Sequence, residues 1–128
     1  MTQSQRINIS FIILRVFLGG TMAIHGLQKV MNLADTTDFF VSLGLPSFMP
    51  LIIAAIEIFG GIFMIIGLLV PLVSLGFIAI LVSATFMLKA GAGFVNGYEL
   101  EVLLIAMSLV AGLSHWSKKI FLPFSISE

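Results

Sequence analysis

Residues 49–69 read MPLIIAAIEIFGGIFMIIGLL, an apolar run broken by one charge, Glu57. About 20 mainly apolar residues carry a helix through a bilayer, so this run has the length of a membrane span. A charge at membrane depth costs at least ~2.5–3.5 kcal/mol by insertion scales, and it therefore faces the protein interior and has a partner. Residues 7–27, INISFIILRVFLGGTMAIHGL, form a second such run and carry Arg15. Each charge stands eight residues into its run, roughly 12 Å from the nearer side. The two runs enter from opposite sides, so in a hydrocarbon core of ~30 Å their levels differ by about 6 Å. An arginine side chain covers that distance, and Arg15 and Glu57 are expected to form a buried ion pair. Such a pair fixes the pairing of the two helices; Glu57 also has the chemistry to take up protons or to orient a polar ligand.

The composition agrees with a membrane setting. Of the 128 residues, 59% are hydrophobic and 9% charged, where a soluble domain carries roughly 25% charged residues. Net charge is zero, which gives no reason to expect a nucleic-acid partner. There is no cysteine, so disulfide exchange and thiolate metal sites are excluded for this chain itself. The first run exceeds the roughly 7–15 residues of a signal-peptide core and lacks an A-x-A-like cleavage site, so it reads as a retained span.

Two further runs, at about 72–88 and 98–116, complete the expected architecture. It is all-α: an integral membrane four-helix bundle, residues 1–128 forming a single transmembrane domain, with a short interfacial helix between spans 1 and 2. Asp35 is the expected cap of that short helix, with Asp38 in its first turn and Gly44 and Pro46 ending it. A tight corner at Val70 and Pro71 joins spans two and three, and the glycine-rich segment 91–97 is expected as a flexible loop. Four spans place both termini on one side. Arg6, Lys118 and Lys119 against Lys29 and Lys89 favour cytoplasmic termini in a multi-pass protein of the cell membrane.

Stepping 100° per residue collects the small and polar residues of each span on one face. The faces are Arg15, Gly19, Met22, Gly26 and Lys29; Glu57, Gly60, Gly61, Met64 and Gly67; Gly76, Ala79, Ser83, Met87 and Ala90; and Glu101, Ser108, Gly112 and His115. Small residues let membrane helices approach closely, so these faces are expected to point inward. The outer half of the bundle gathers a second polar cluster, His25 and Lys29 with Glu99 and Glu101. Glu99 and Glu101 point to nearly opposite faces, and the small-residue face favours Glu101. His25 and His115 fall at opposite ends, so one haem iron cannot take both. No metal-ligand, phosphate-loop or serine-nucleophile motif is present.

Arg15 with Gly19, the run His25-Gly26-Leu27-Gln28-Lys29, Glu57 with Gly60-Gly61 and Gly67, Gly97-Tyr98-Glu99, and Trp116-Ser117 together resemble the DoxX family of small four-span membrane proteins. The resemblance covers nearly the whole chain. It implies that the functional carboxylate is Glu99, against the helical-face preference for Glu101. The family's "S-L-D" ending is replaced here by Ser117-Lys118-Lys119. The resemblance also implies a membrane redox setting.

Three functions compete. The first is a quinone-linked or redox-associated membrane subunit. It has no electron carrier of its own, and a membrane or soluble redox partner supplies the electrons. The second is a non-enzymatic scaffold or assembly factor, in which the charges only hold the bundle. The third is a small proton-coupled exporter, disfavoured because Arg15 would repel cationic substrates. The sequence implies the lipid bilayer as surroundings and a quinone as the candidate cofactor. It leaves open whether the chain is catalytic and whether it forms a homo-oligomer.

Overall fold

Within a bilayer every backbone amide must be satisfied by the segment itself, and helices meet that demand over these apolar runs. The computed structural model describes residues 1–115, except for the side chains of Leu88, Lys89, Ala90 and Asn96. It is helical, with no strand among the described residues. The long helices are α1 (Gln3–Met31), α3 (Met49–Ile66), α4 (Val70–Ala84) and α5 (Glu99–Ser114); α2 (Leu33–Ser42) is the short helix after α1. Three have the length and apolarity to cross a membrane: Gln3–Met31, Met49–Ile66 and Val70–Met87. The fourth rod, α5, is shorter at 16 residues, about 24 Å of helix. Trp116, the expected end of the last span, and Lys118 and Lys119 lie outside the described residues.

Helix α1 begins four residues before its expected start because Thr2 and Gln5 form a capping box. The Gln5 N–H donates to Thr2 Oγ1 at 3.1 Å, and the Thr2 N–H donates to Gln5 Oε1 at 2.8 Å. Asn32, and not Asp35, stands at the cap position of α2; Asp35 lies in its first turn. There it still meets the positive end of the helix dipole. Gly44 adopts φ +84 after α2, the left-handed conformation expected of a glycine that ends a helix.

The corner between α3 and α4 falls at Gly67 to Leu69, just before the expected Val70 and Pro71. Gly67 has φ 83, its N–H donates to the Met64 carbonyl at 3.2 Å, and the Leu68 N–H donates to the Phe63 carbonyl at 2.8 Å. Those two bonds make a Schellman motif. Pro71 then sits in the first turn of α4, where its missing N–H costs nothing. The segment between α4 and α5 is not an open loop. Thr85–Lys89 and Phe94–Tyr98 are wide π turns, and Ala90–Ala92 is a tight 3₁₀ turn between them.

Packing divides the molecule into two closely associated pairs, α1 with α3 and α4 with α5, with α3 and α4 joining them. The α1–α3 pair runs antiparallel with backbones nearly touching. A Cβ placed on Gly61 would come within 2.5 Å of the Gly19 carbonyl oxygen, and one on Gly26 within 2.8 Å of the Ala54 carbonyl oxygen. Where α3 meets α4, Gly60 accepts the ring of Phe77, a fully buried residue. Three of the four expected inward faces are buried in this way. The α4 face is the exception. Val70, Ser74, Phe77 and Leu81 are its packed residues, while Ala79, Ser83 and Met87 stay exposed.

Candidate functional site

Glu57 does pair with a cation, but the cation is Lys29. Lys29 Nζ lies 2.7 Å from Glu57 Oε1, with the glutamate side chain 4% exposed and the lysine 25%. The expected Arg15–Glu57 pair does not form, and helix direction explains why. Every Cα–Cβ bond tilts toward its own helix N-terminus. At the end of α1 that tilt sends Lys29 inward, and on antiparallel α3 it sends Glu57 outward toward the same level. The same tilt turns Arg15 and Glu57 away from each other. The register adds distance: Glu57 packs beside Gly26, and the eleven-residue step from Arg15 to Gly26 is about 16 Å of helix. The negative C-terminal end of α1 further favours an ammonium at Lys29.

Arg15 belongs to the opposite end of the bundle. Its Nε is buried and has no hydrogen-bond partner among the described residues, and its charge acts electrostatically on His115. The His115 ring packs edge-on against Phe11 with ring centres 5.8 Å apart. Phe11 stands one helical turn before Arg15 on α1, and this contact brings the end of α5 to that level. His115 Nδ1 sits 2.9 Å from both the Ala111 carbonyl oxygen and Ser114 Oγ. Arg15 therefore stands apart from the cluster around His25.

Beside the Lys29–Glu57 pair the helices line a partly open cavity of about 460 Å³, within the ~300–1,000 Å³ typical of small-molecule sites. His25 and Lys29 from α1, Glu57 from α3 and Glu101 from α5 all contribute to its wall. Most of the remaining lining is apolar, including Met22, Ile53, Leu81 and Leu104. Phe40 from α2, with Leu43 and Leu45 just after that helix, adds to the apolar lining. Phe40 is 7% exposed.

Of the four residues expected in this cluster, the structure brings together His25, Lys29 and Glu101. Glu101 is buried at 6% exposure, whereas Glu99 is exposed and lies outside the cavity wall. The helical-face expectation that Glu101 faces the bundle agrees with this placement, and Glu99, the residue implied by resemblance, stands outside the wall. Glu57 is the addition: it had been assigned to a separate structural pair. The tilt of side chains toward helix N-termini was the available signal. Phe40 carried no comparable signal, because its burial depends on how α2 folds back over α3.

Chemically, the wall offers one ammonium, two carboxylates and an imidazole within an apolar enclosure. Among the described residues, no group of three or more histidine, aspartate or glutamate side chains is arranged to hold a metal ion. The arrangement suits a ligand with a polar head that accepts hydrogen bonds and exchanges protons, and with an apolar remainder.

A family model described as DoxX matches residues 10–90, from α1 into the turns after α4. His25, Lys29 and Glu57 lie inside the matched region and Glu101 beyond it. A protein of Bacillus subtilis (strain 168) named "Putative oxidoreductase CatD" is 38% identical over 106 residues, which cover 83% of this chain and 79% of that protein. No solved structure matches.

Proposed function

The chain belongs to the DoxX family, and from that premise we propose that it is a quinone-linked membrane redox subunit. The observation that carries this reading is the apolar cavity with Lys29, Glu57, His25 and Glu101 in one wall. A quinone head group has two carbonyl oxygens that accept hydrogen bonds. Lys29 is placed to donate to one of them, while Glu57 holds the ammonium in position. Reduction to the quinol takes up two electrons and two protons. The residues of this wall are suited to relay the protons; the electrons come from a redox partner, since the chain has no cysteine and no metal-ligand motif. The oxidoreductase name of the Bacillus subtilis relative agrees with a redox role. In the orientation with cytoplasmic termini, the cavity opens in the outer half of the membrane.

The test is equilibrium binding of menaquinone-4 and ubiquinone-2 to the purified protein in nanodiscs. Lys29→Met and Glu101→Gln are each expected to weaken binding about tenfold, the loss of one good polar contact. Glu99→Gln is expected to bind within about twofold of the parent. Failure of both quinones to bind the parent protein would end this reading.

A further inference from the structure

The cavity is not sealed on all sides, and its opening lies between α3 and α4. On α3, Ile52 and Ile56 both line the cavity and are exposed, at 46% and 41%. Facing them on α4, Ala79, Ser83 and Met87 also line the cavity and are exposed. Nearer the corner the same two helices come close, with Gly60 against Phe77 and with Ile56 Cγ2 3.7 Å from where a Cβ on Gly76 would stand. The helices therefore part just beyond Ile56. Ile56 is seven residues into α3, about 10 Å along the helix, which places the gap within a hydrocarbon core of ~30 Å. The gap joins a wall that carries Lys29, Glu57 and Glu101 on one side to the lipid-facing surface on the other. Its margins are isoleucine, alanine and methionine, with Ser83 the one polar residue among those named.

We infer that the α3–α4 gap is the seat of an apolar tail: a prenylated quinone enters sideways from the bilayer, leaves its isoprenoid chain between Ile52 and Ile56 on one side and Ala79 and Ser83 on the other, and brings only its head to the Lys29–Glu57 pair. This rests on the quinone reading above and adds to it a route and a tail subsite. The α4 face explains why the subsite exists. Its small residues are not used for helix packing, so they leave width for a chain.

The absence of native cysteine makes the gap testable by labelling. Ser83→Cys would be alkylated with N-(1-pyrenyl)maleimide in the folded, nanodisc-embedded protein. Two probes with the same head would then be compared: menaquinone-4, and tail-less 2,3-dimethyl-1,4-naphthoquinone, which has no free ring position for thiol addition. The expected result is at least a tenfold loss of menaquinone-4 affinity on alkylation, with the tail-less probe changed less than twofold. Ile56→Trp, which narrows the gap from the α3 side without labelling, should reproduce the same discrimination. Equal effects on both probes, or no effect on either, would overturn the tail subsite while leaving the quinone reading in place. So would retention of a phospholipid in the gap, seen by native mass spectrometry, that menaquinone-4 does not displace. If neither probe binds the unlabelled protein, the tail subsite falls, and the quinone reading falls with it when ubiquinone-2 also fails to bind.

Discussion

Helix α3 makes two seams, and they differ along their lengths. Against α1 it is closed at both ends, by Gly61 on Gly19 and by Gly26 on Ala54. Against α4 it is closed only near the corner, where Gly60 receives Phe77; beyond Ile56 the helices stand apart beside the cavity. Membrane helices have no hydrophobic drive toward each other, so close approach depends on packing and on small residues placed to allow it. Where α1 offers glycine at matching levels the seam shuts, and the shut seam holds Lys29 against Glu57. The other seam has the bulky side chains of Ile52 and Ile53 where a second glycine contact would be needed, and it opens.

The most severe way to break this contrast is to wedge the closed seam. Gly61→Leu drives a side chain into the Gly19 carbonyl and the Ala23 methyl, where the obstacle is backbone that cannot turn aside. A destabilisation of about 3 kcal/mol or more is expected, read as loss of the monodisperse peak in detergent and a lower unfolding midpoint. Gly76→Ala, in ordinary contact range of Ile56 on the partly open seam, should stay within about 0.5 kcal/mol of the parent.

The ion pair gives the next effect. Glu57→Gln alone is expected to cost about 2–3 kcal/mol, below the upper range for fully buried pairs because Lys29 is partly exposed. The double replacement Lys29→Met with Glu57→Leu should recover most of that loss. A double-mutant cycle sharpens the register. Lys29 and Glu57 should couple by about 1–2 kcal/mol, and Arg15 and Glu57 by less than about 0.5 kcal/mol. Coupling of Arg15 as strong as that of Lys29 would mean that the α1–α3 register is wrong.

A smaller effect tests the corner that keeps the second seam shut at its base. Leu69 adopts φ 54, a left-handed conformation that costs a non-glycine residue roughly 1 kcal/mol. Leu69→Gly removes that strain but adds freedom to the unfolded chain. A net gain of up to about 0.5 kcal/mol is expected, visible as a small rise in the unfolding midpoint. A clear loss would show that the Leu69 side chain contributes packing at the corner.

Much of this was legible in the residues. The inward faces of α1, α3 and α5 followed from helical periodicity, including the burial of Glu57 and Glu101. Periodicity failed on α4 because small residues mark places where approach is permitted, and nothing within one helix says whether a neighbour takes up the offer. Which of Glu99 and Glu101 faces the bundle was available from the same periodicity, since residues two apart on a helix point to nearly opposite sides. The partner of Glu57 was misjudged because depth along a span was counted without the direction in which each side chain leaves its helix.

By itself, the sequence determined that this chain forms apolar helices of membrane length and that the charges within them must be turned toward protein. That follows from the cost of placing polar groups in hydrocarbon, which is paid residue by residue. Which charge meets which, and where the bundle stays hollow, was decided only when the helices packed. Those outcomes depend on register and on side-chain volumes facing each other across a seam, and such quantities belong to pairs of helices and to neither helix singly.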